Sequence, residues 1–383
     1  MSPELIVVLT AVLVAIPCSL VGCFLVLRKM AMLGDAISHA VLPGIVIAFF
    51  LAGGPEPIPV ILGATALGLI TVVLVEALNR SRLVKEDAAI GLVFPALFAL
   101  GVFMVSRFGK GVHLDTQHVL YGEIAYAPFD TLIVNGIALG PKPMWVLGII
   151  TLLDLALILL FYKELKLVSF DPGLAAVLGF SPIALHYLLM SAVSVTTVAA
   201  FDSVGAILVV ALLIVPPSTA YLLTDRLPLM LSLSVVAGIL SAVLGYGLAR
   251  LVDGSIAGAM ATVAGLLFGL AALGSPRYGA VARLLQRAQR RRQFAADLLL
   301  AHLAERELRP TLATSTAAAG PNVTPAQSLQ ERFHWNRQFA RQVVGQLVAS
   351  GLAVPAPEVG AADLPDVTLT DRGRQRAADL LSV

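Results

Sequence analysis

The chain has 383 residues, of which 58% are hydrophobic and 13% charged, and its mean hydropathy is +0.89. Soluble domains carry about a quarter charged residues, so this composition excludes a soluble enzyme or binding module over most of the length and points to an integral membrane protein. The formal net charge of +2 identifies no partner, although arginines gather near residues 277–292.

The first apolar run, 5–27, lacks the basic flank of a cleaved signal peptide and is long enough to be a permanent span. Cys18 and Cys23 lie inside it without a CxxC motif or a disulfide framework, and are expected to pack in the core. Further runs at 36–54, 58–76, 88–106, 144–162, 183–201, 203–223, 227–249 and 254–275 are each near the ~20 residues a crossing needs. Nine crossings are expected, or eight. The second is interrupted by Pro43-Gly44, and the sixth and seventh are separated only by Phe201-Asp202. An odd number puts the termini on opposite sides. Placing the amino terminus outside leaves fourteen lysines and arginines inside and four outside, six of the fourteen within 277–292, as the positive-inside rule requires.

The second run opens with Gly34-Asp-Ala-Ile-Ser-His-Ala-Val-Leu-Pro-Gly44. Asp35 and His39, four positions apart, share one face of a helix, and ionisable groups at membrane depth are costly enough to suggest function. A carboxylate and an imidazole suit zinc, manganese or ferrous iron, whereas alkali cations prefer oxygen alone. Two ligands do not complete a site, so the rest must come from other helices, waters or carbonyls freed where Pro43 breaks the helical ladder. The competing reading is that the two groups only bond each other and a neighbouring helix. Arg28 and Lys29 mark the inner surface, which puts His39 about 15 Å into the membrane, near its midplane.

Other polar residues admit two readings each. Asp202, at an outer turn, can help receive a cation or can cap the next helix. Asp154, alone among leucines, is expected to be paired structurally, and His186, at the start of a helix, to be structural. In the outer segment 107–142, His113, Asp115 and His118, with Glu123 beyond, offer metal capture, or else are solvated loop residues. Between two spans, residues 170–180 form a short amphipathic helix capped by Asp171 and ended by Gly179, fit to dock in another protein or to rest on the membrane.

After about residue 277 the pattern becomes charged and soluble, so three regions are expected: a membrane domain over 1–276, an amphipathic connecting helix over 277–308, and a small domain with its linker over 309–383. The stretch 309–324 is rich in Pro, Ala, Ser, Thr and Gly, as linkers are. Helices are expected at 325–333 and 336–351, then a strand through Val367-Thr-Leu-Thr370 and a last helix from Asp371. That is the order of a winged helix-turn-helix. The fold class is thus an all-α polytopic membrane protein plus a small α+β winged-helix domain.

The motif from Gly34 to Gly44 resembles the signature of permease subunits of manganese/zinc/iron ABC importers. Three further segments agree in order: Lys85-Glu-Asp-Ala-Ala-Ile-Gly91, Asp171 to Gly179, and Val204 to Ala220 with its Pro216-Pro217-Ser218. The resemblance implies a type II ABC importer-like fold in the bacterial plasma membrane with a cytoplasmic carboxy-terminal domain. It implies a homodimer, or a heterodimer with a paralogue, working with two cytosolic ATPase subunits and an external metal-binding protein. By the same resemblance Asp35 and His39 are metal ligands, and Asp171, Leu174, Ala175, Ala176 and Gly179 form the helix that couples to the ATPase. No Gly-x-x-x-x-Gly-Lys-Ser/Thr occurs in the sequence, so ATP hydrolysis is assigned to a partner. No covalently bound cofactor is expected; the divalent metal is cargo. The segments 336–352 and 367–376 resemble the winged helix of diphtheria-toxin-repressor-like metalloregulators, in which Arg337 and Arg341 could contact phosphates. A regulatory or assembly role is favoured there over a nucleic-acid partner. Two rival classes remain at this stage: an ion-coupled secondary carrier using the buried acid and histidine as a proton relay, and a membrane-tethered metal-responsive regulator.

Overall fold

The structure, a computed structural model, describes residues 2–52, 57–108, 124–134, 137–275, 279–308, 335–355 and 367–381. It divides into two compact units, Met1–Ala280 and Val281–Val383. The expected linker 309–324 and the helix expected at 325–333 lie outside the described residues.

In the first unit, nine helical segments among the described residues are long and apolar enough to cross a membrane, in agreement with the nine hydrophobic runs. Helix α1 (Pro3–Leu27) is the axis of the unit, with Phe24 and Leu25 fully buried. The second crossing, Ala31–Ala52, is broken into α2 (Ala31–Ala40) and α3 (Leu42–Ala52). Pro43 causes the break, because it has no N–H to give to the carbonyl of His39 four residues back. Helices α4 (Pro57–Arg80) and α5 (Glu86–Phe108) pack with α2 and α3 as one group.

A 3₁₀ turn (Ile124–Tyr126) and a short antiparallel pair, β1 (Thr131–Val134) and β2 (Ile137–Pro141), lead into α6 (Lys142–Leu160). Helix α7 (Tyr162–Phe170) and the single-turn α8 (Pro172–Val177) follow. Helix α9 (Pro182–Val204) touches α1, α2, α4 and α6, and so ties the α2–α5 group to the rest. The second group consists of α10 (Ala206–Leu223), α11 (Leu227–Val252) and α12 (Ile256–Gly274), packed on α1 and on one another.

Between α9 and α10 stands only Gly205, at φ 80°, a conformation that L side chains rarely adopt. Large apolar side chains such as Leu51, Leu152, Leu159 and Leu160 are exposed, as expected of surfaces whose solvent is lipid rather than water.

The second unit starts along α13 (Ala280–Leu308), whose Ala295, Ala296, Leu299, Leu300, Leu303 and Ala304 are buried in a core of their own. Helix α14 (Arg337–Ala349) adds Ala340, Val343, Val344 and Leu347, spaced i, i+3, i+4, i+7. It is capped by Asn336, whose side chain accepts from the Gln338 N–H, and it stops before Gly351 at φ 68°. Strands β3 (Ala353–Pro355) and β4 (Val367–Leu369) pair antiparallel, and α15 (Asp371–Leu381) closes the described chain. The region read from sequence as a connecting helix therefore supplies part of the core of the second unit.

Candidate metal site and its surroundings

Helix α2 has ten residues, and its sequence divides it sharply by burial. Leu33, Gly34, Ala36, Ile37, Ser38 and Ala40 are all buried. Gly34 packs closely: a Cβ there would lie 2.2 Å from the Leu213 Cδ2 of α10, so that side chain would have to move. The Ser38 hydroxyl is turned inward and donates to the Gly34 carbonyl at 2.9 Å. What remains is Ala31, Met32, Asp35 and His39, none of them buried.

The Asp35 Oδ1 and His39 Nε2 atoms are 3.5 Å apart, and their side chains are 39% and 33% exposed. The His39 ring faces Phe94 of α5, with centroids 6.0 Å apart. Two donors that each bind a metal at about 2.1 Å with a tetrahedral angle between them stand about 3.4 Å apart, so the observed spacing can accept a divalent ion with little rearrangement. Pro43 also deprives the His39 carbonyl of its helical donor, which leaves an oxygen near the pair. Among the described residues no group of three or more His, Cys, Asp or Glu side chains could hold a metal. Among the described residues Asp35 and His39 therefore stand as a pair of donors rather than as part of a larger cluster.

Asp202 does not join this pair. It lies within the last turn of α9, and the cap of α10 is Gly205, so the cap role expected for Asp202 is corrected: α9 runs on past it and ends only where glycine permits the turn. The side chain is exposed and interacts with Lys142 and Asp130, whose own ion pair spans 3.9 Å. Asp154 is 4% exposed and accepts a hydrogen bond from the Thr196 hydroxyl of α9, the structural pairing its position suggested. His113, Asp115, His118 and Glu123 lie outside the described residues.

Helix α8 matches its sequence reading in detail. The Asp171 carboxylate accepts from the Leu174 N–H at 2.9 Å, while the Gly179 N–H donates to Ala176 and the Phe180 N–H to Ala175 across a glycine at φ 88°. Ala175 is buried against Val168 and Leu185, whereas Leu174, Val177 and Leu178 are exposed. This leaves a short rigid helix with an apolar outer face.

One network escaped the sequence reading. The Tyr187 hydroxyl of α9 donates to Glu76 of α4 at 2.6 Å, and Arg80 pairs with the other carboxylate oxygen at 2.6 Å. His186 stacks edge-on against Tyr187 with centroids 5.4 Å apart and feels the charges of Glu76, Arg28 and Arg80. Arg28 donates to Ser169 of α7, and its burial lowers the guanidinium pKa. The available signal was Glu76, an acid inside a hydrophobic run, four residues before Arg80.

In the second unit Arg341 is exposed on α14, and Arg337 begins that helix.

Sequence comparison matches residues 5–274 to the ABC 3 transport family. The manganese transport system membrane protein MntD of Bacillus subtilis (strain 168) is 51% identical over 286 residues, 75% of this chain and 97% of that protein. The zinc transport system membrane protein TroD of Treponema pallidum (strain Nichols) is 44% identical over 346 residues, 90% of this chain and 92% of that protein, so the match runs into the second unit. Among solved structures, PsaBC from Streptococcus pneumoniae in complex with Fab superposes with a TM-score of 0.61 at 31% identity, covering 74% of this chain and 94% of that one. With nine apolar helical segments among its described residues, the chain belongs to the ABC 3 transport family and is a multi-pass permease of the bacterial plasma membrane.

Proposed function

We propose that the chain is the membrane subunit of an ATP-driven importer of divalent transition metal, manganese or zinc foremost, and that Asp35 and His39 hold the ion in transit. The observation that carries this reading is the half-open pair of donors 3.5 Å apart on α2, a helix with six of its ten residues buried. A two-ligand half-site binds weakly enough to release its cargo. A second copy or a paralogue facing it would supply further ligands and close the coordination sphere. The relatives MntD and TroD are named for manganese and zinc, and an Asp/His pair serves either, or ferrous iron. Asp202 stands at the other end of α9 from His186, where it would meet an arriving cation rather than hold one at midplane.

The exposed apolar face of α8 is the contact for a cytosolic ATPase, and an external metal-binding protein delivers the ion to the opposite side. Closure of the ATPases, carried through α8, switches access to Asp35 and His39 from outside to inside. The second unit is winged-helix-like and cytoplasmic, with a regulatory or assembly role; the order of α14, β3, β4 and α15 supports that reading.

The test is metal accumulation in vesicles reconstituted with the ATPase, comparing manganese, zinc and ferrous iron. ATP-dependent uptake that disappears in Asp35→Ala and His39→Ala is expected. Uptake that needs no ATPase and collapses with a protonophore would contradict it and favour an ion-coupled carrier.

A further inference from the structure

Helix α13 changes character halfway along. From Ala295 onward its apolar face is buried in the core of the second unit. Before that point, residues 280–294 contain five arginines and no acid, and the first carboxylate is Asp297. The described side chains of this half are open: Arg283, Arg290 and Arg292 are exposed, as are Val281 at 52% and Phe294 at 71%. Arg291 lies 4.9 Å over the Phe339 ring and is engaged within the unit.

The register separates two faces. By sequence spacing Val281, Leu284, Leu285 and Ala288 recur at i, i+3, i+4 and i+7, and Arg283 and Arg290 lie on the opposite side of that register, whereas Arg292, at i+11, returns to the apolar side. Only five residues, 275–279, separate this helix from the last residue of α12. Fully extended they reach about 18 Å, so the helix cannot start far from the bilayer surface. A basic amphipathic helix tethered at that distance has one obvious counter-charge, the phosphates of the adjoining leaflet.

We infer that the amino-terminal half of α13 is an interfacial helix that binds anionic phospholipid at the membrane surface from which α12 emerges, with Arg283 and Arg290 among its headgroup contacts. The inference depends on the chain spanning a membrane, and not on the cargo or on the roles of Asp35 and His39. It gives the second unit a lipid-dependent anchor in addition to the peptide link.

The test uses the full chain in nanodiscs, with Val281→Cys, on the apolar side, carrying an environment-sensitive fluorophore; the two native cysteines are fully buried in α1. Emission is expected to shift to the blue when phosphatidylglycerol replaces part of the phosphatidylcholine, and to revert at high salt, because surface attraction is screened. Each arginine near an anionic surface contributes roughly a fivefold gain in surface occupancy, so the Arg283→Gln/Arg290→Gln variant should lose on the order of 25-fold. The matching double lysine variant should keep the shift. A label that stays in water in phosphatidylglycerol discs would overturn the inference. So would a shift unchanged in the glutamine variant, or a response to duplex DNA in place of lipid.

Discussion

Two acids within the membrane-spanning helices, Asp154 and Asp35, meet opposite fates. Asp154 is 4% exposed and its carboxylate is held by the Thr196 hydroxyl across the α6–α9 contact. The Asp35 side chain is 39% exposed and lies 3.5 Å from His39, on the open side of a helix most of whose residues are buried. Hydropathy alone treats the two alike, since each is a single carboxylate in an apolar run. Packing separates them: an acid enclosed with a donor secures two helices, whereas an acid left half-open beside an imidazole is available to a cation.

The sharpest way to break the contrast is to delete each group in turn. Asp35→Ala or His39→Ala should reduce ATP-dependent metal accumulation by at least on the order of 100-fold, the upper end of what even outer-sphere changes cost at metal sites, with normal amounts of folded protein in the membrane. Asp154→Ala should leave uptake per folded molecule near wild type and lower thermal stability, because the Thr196 hydroxyl loses its acceptor at a cost of about 1–3 kcal/mol. A differential scan of the purified variants in detergent separates the two outcomes.

Acid provides a second handle of intermediate size. An imidazole must be neutral to ligate. Protonation removes the lone pair, so uptake should fall as the medium is acidified and be restored as pH rises. Thr196→Val, which touches only the enclosed acid, should follow the wild-type pH profile. A shared change in profile would mean that the two acids belong to one system.

Smaller effects are expected at the cytoplasmic helices. Asp171→Ala removes the cap of α8 and should cost about 1 kcal/mol of local stability, seen as faster amide exchange at Leu174 and weaker association with the ATPase. Tyr187→Phe removes one charge-assisted bond to Glu76, worth about 1.5–3 kcal/mol in a buried setting and less here because the pair is partly open. Its effect on stability should be the least of the series.

Much of this contrast was legible in the amino-acid order. Nine apolar runs became nine crossings, Pro43 broke the second where its missing N–H predicts, and Asp171 and Gly179 bracket a helix as their cap preferences require. Asp35 and His39 were visible because their four-residue spacing is local. Asp202 was misplaced by a few residues: helix α9 passes the acid and ends only at Gly205, a decision made by backbone conformation rather than by the polarity of Asp202. The bonds Glu76–Tyr187 and Asp154–Thr196 join residues 111 and 42 positions apart. Periodicity within one helix cannot reveal partners of that kind, because they depend on which helices become neighbours.

The account turns on Asp35 being a ligand and Asp154 a fastener. The most direct measurement is ATP-driven accumulation of radioactive manganese in vesicles holding the permease and its ATPase, normalised to folded permease, for wild type, Asp35→Ala and Asp154→Ala. The account predicts transport lost in the first variant and kept in the second. Equal accumulation by wild type and Asp35→Ala would contradict it.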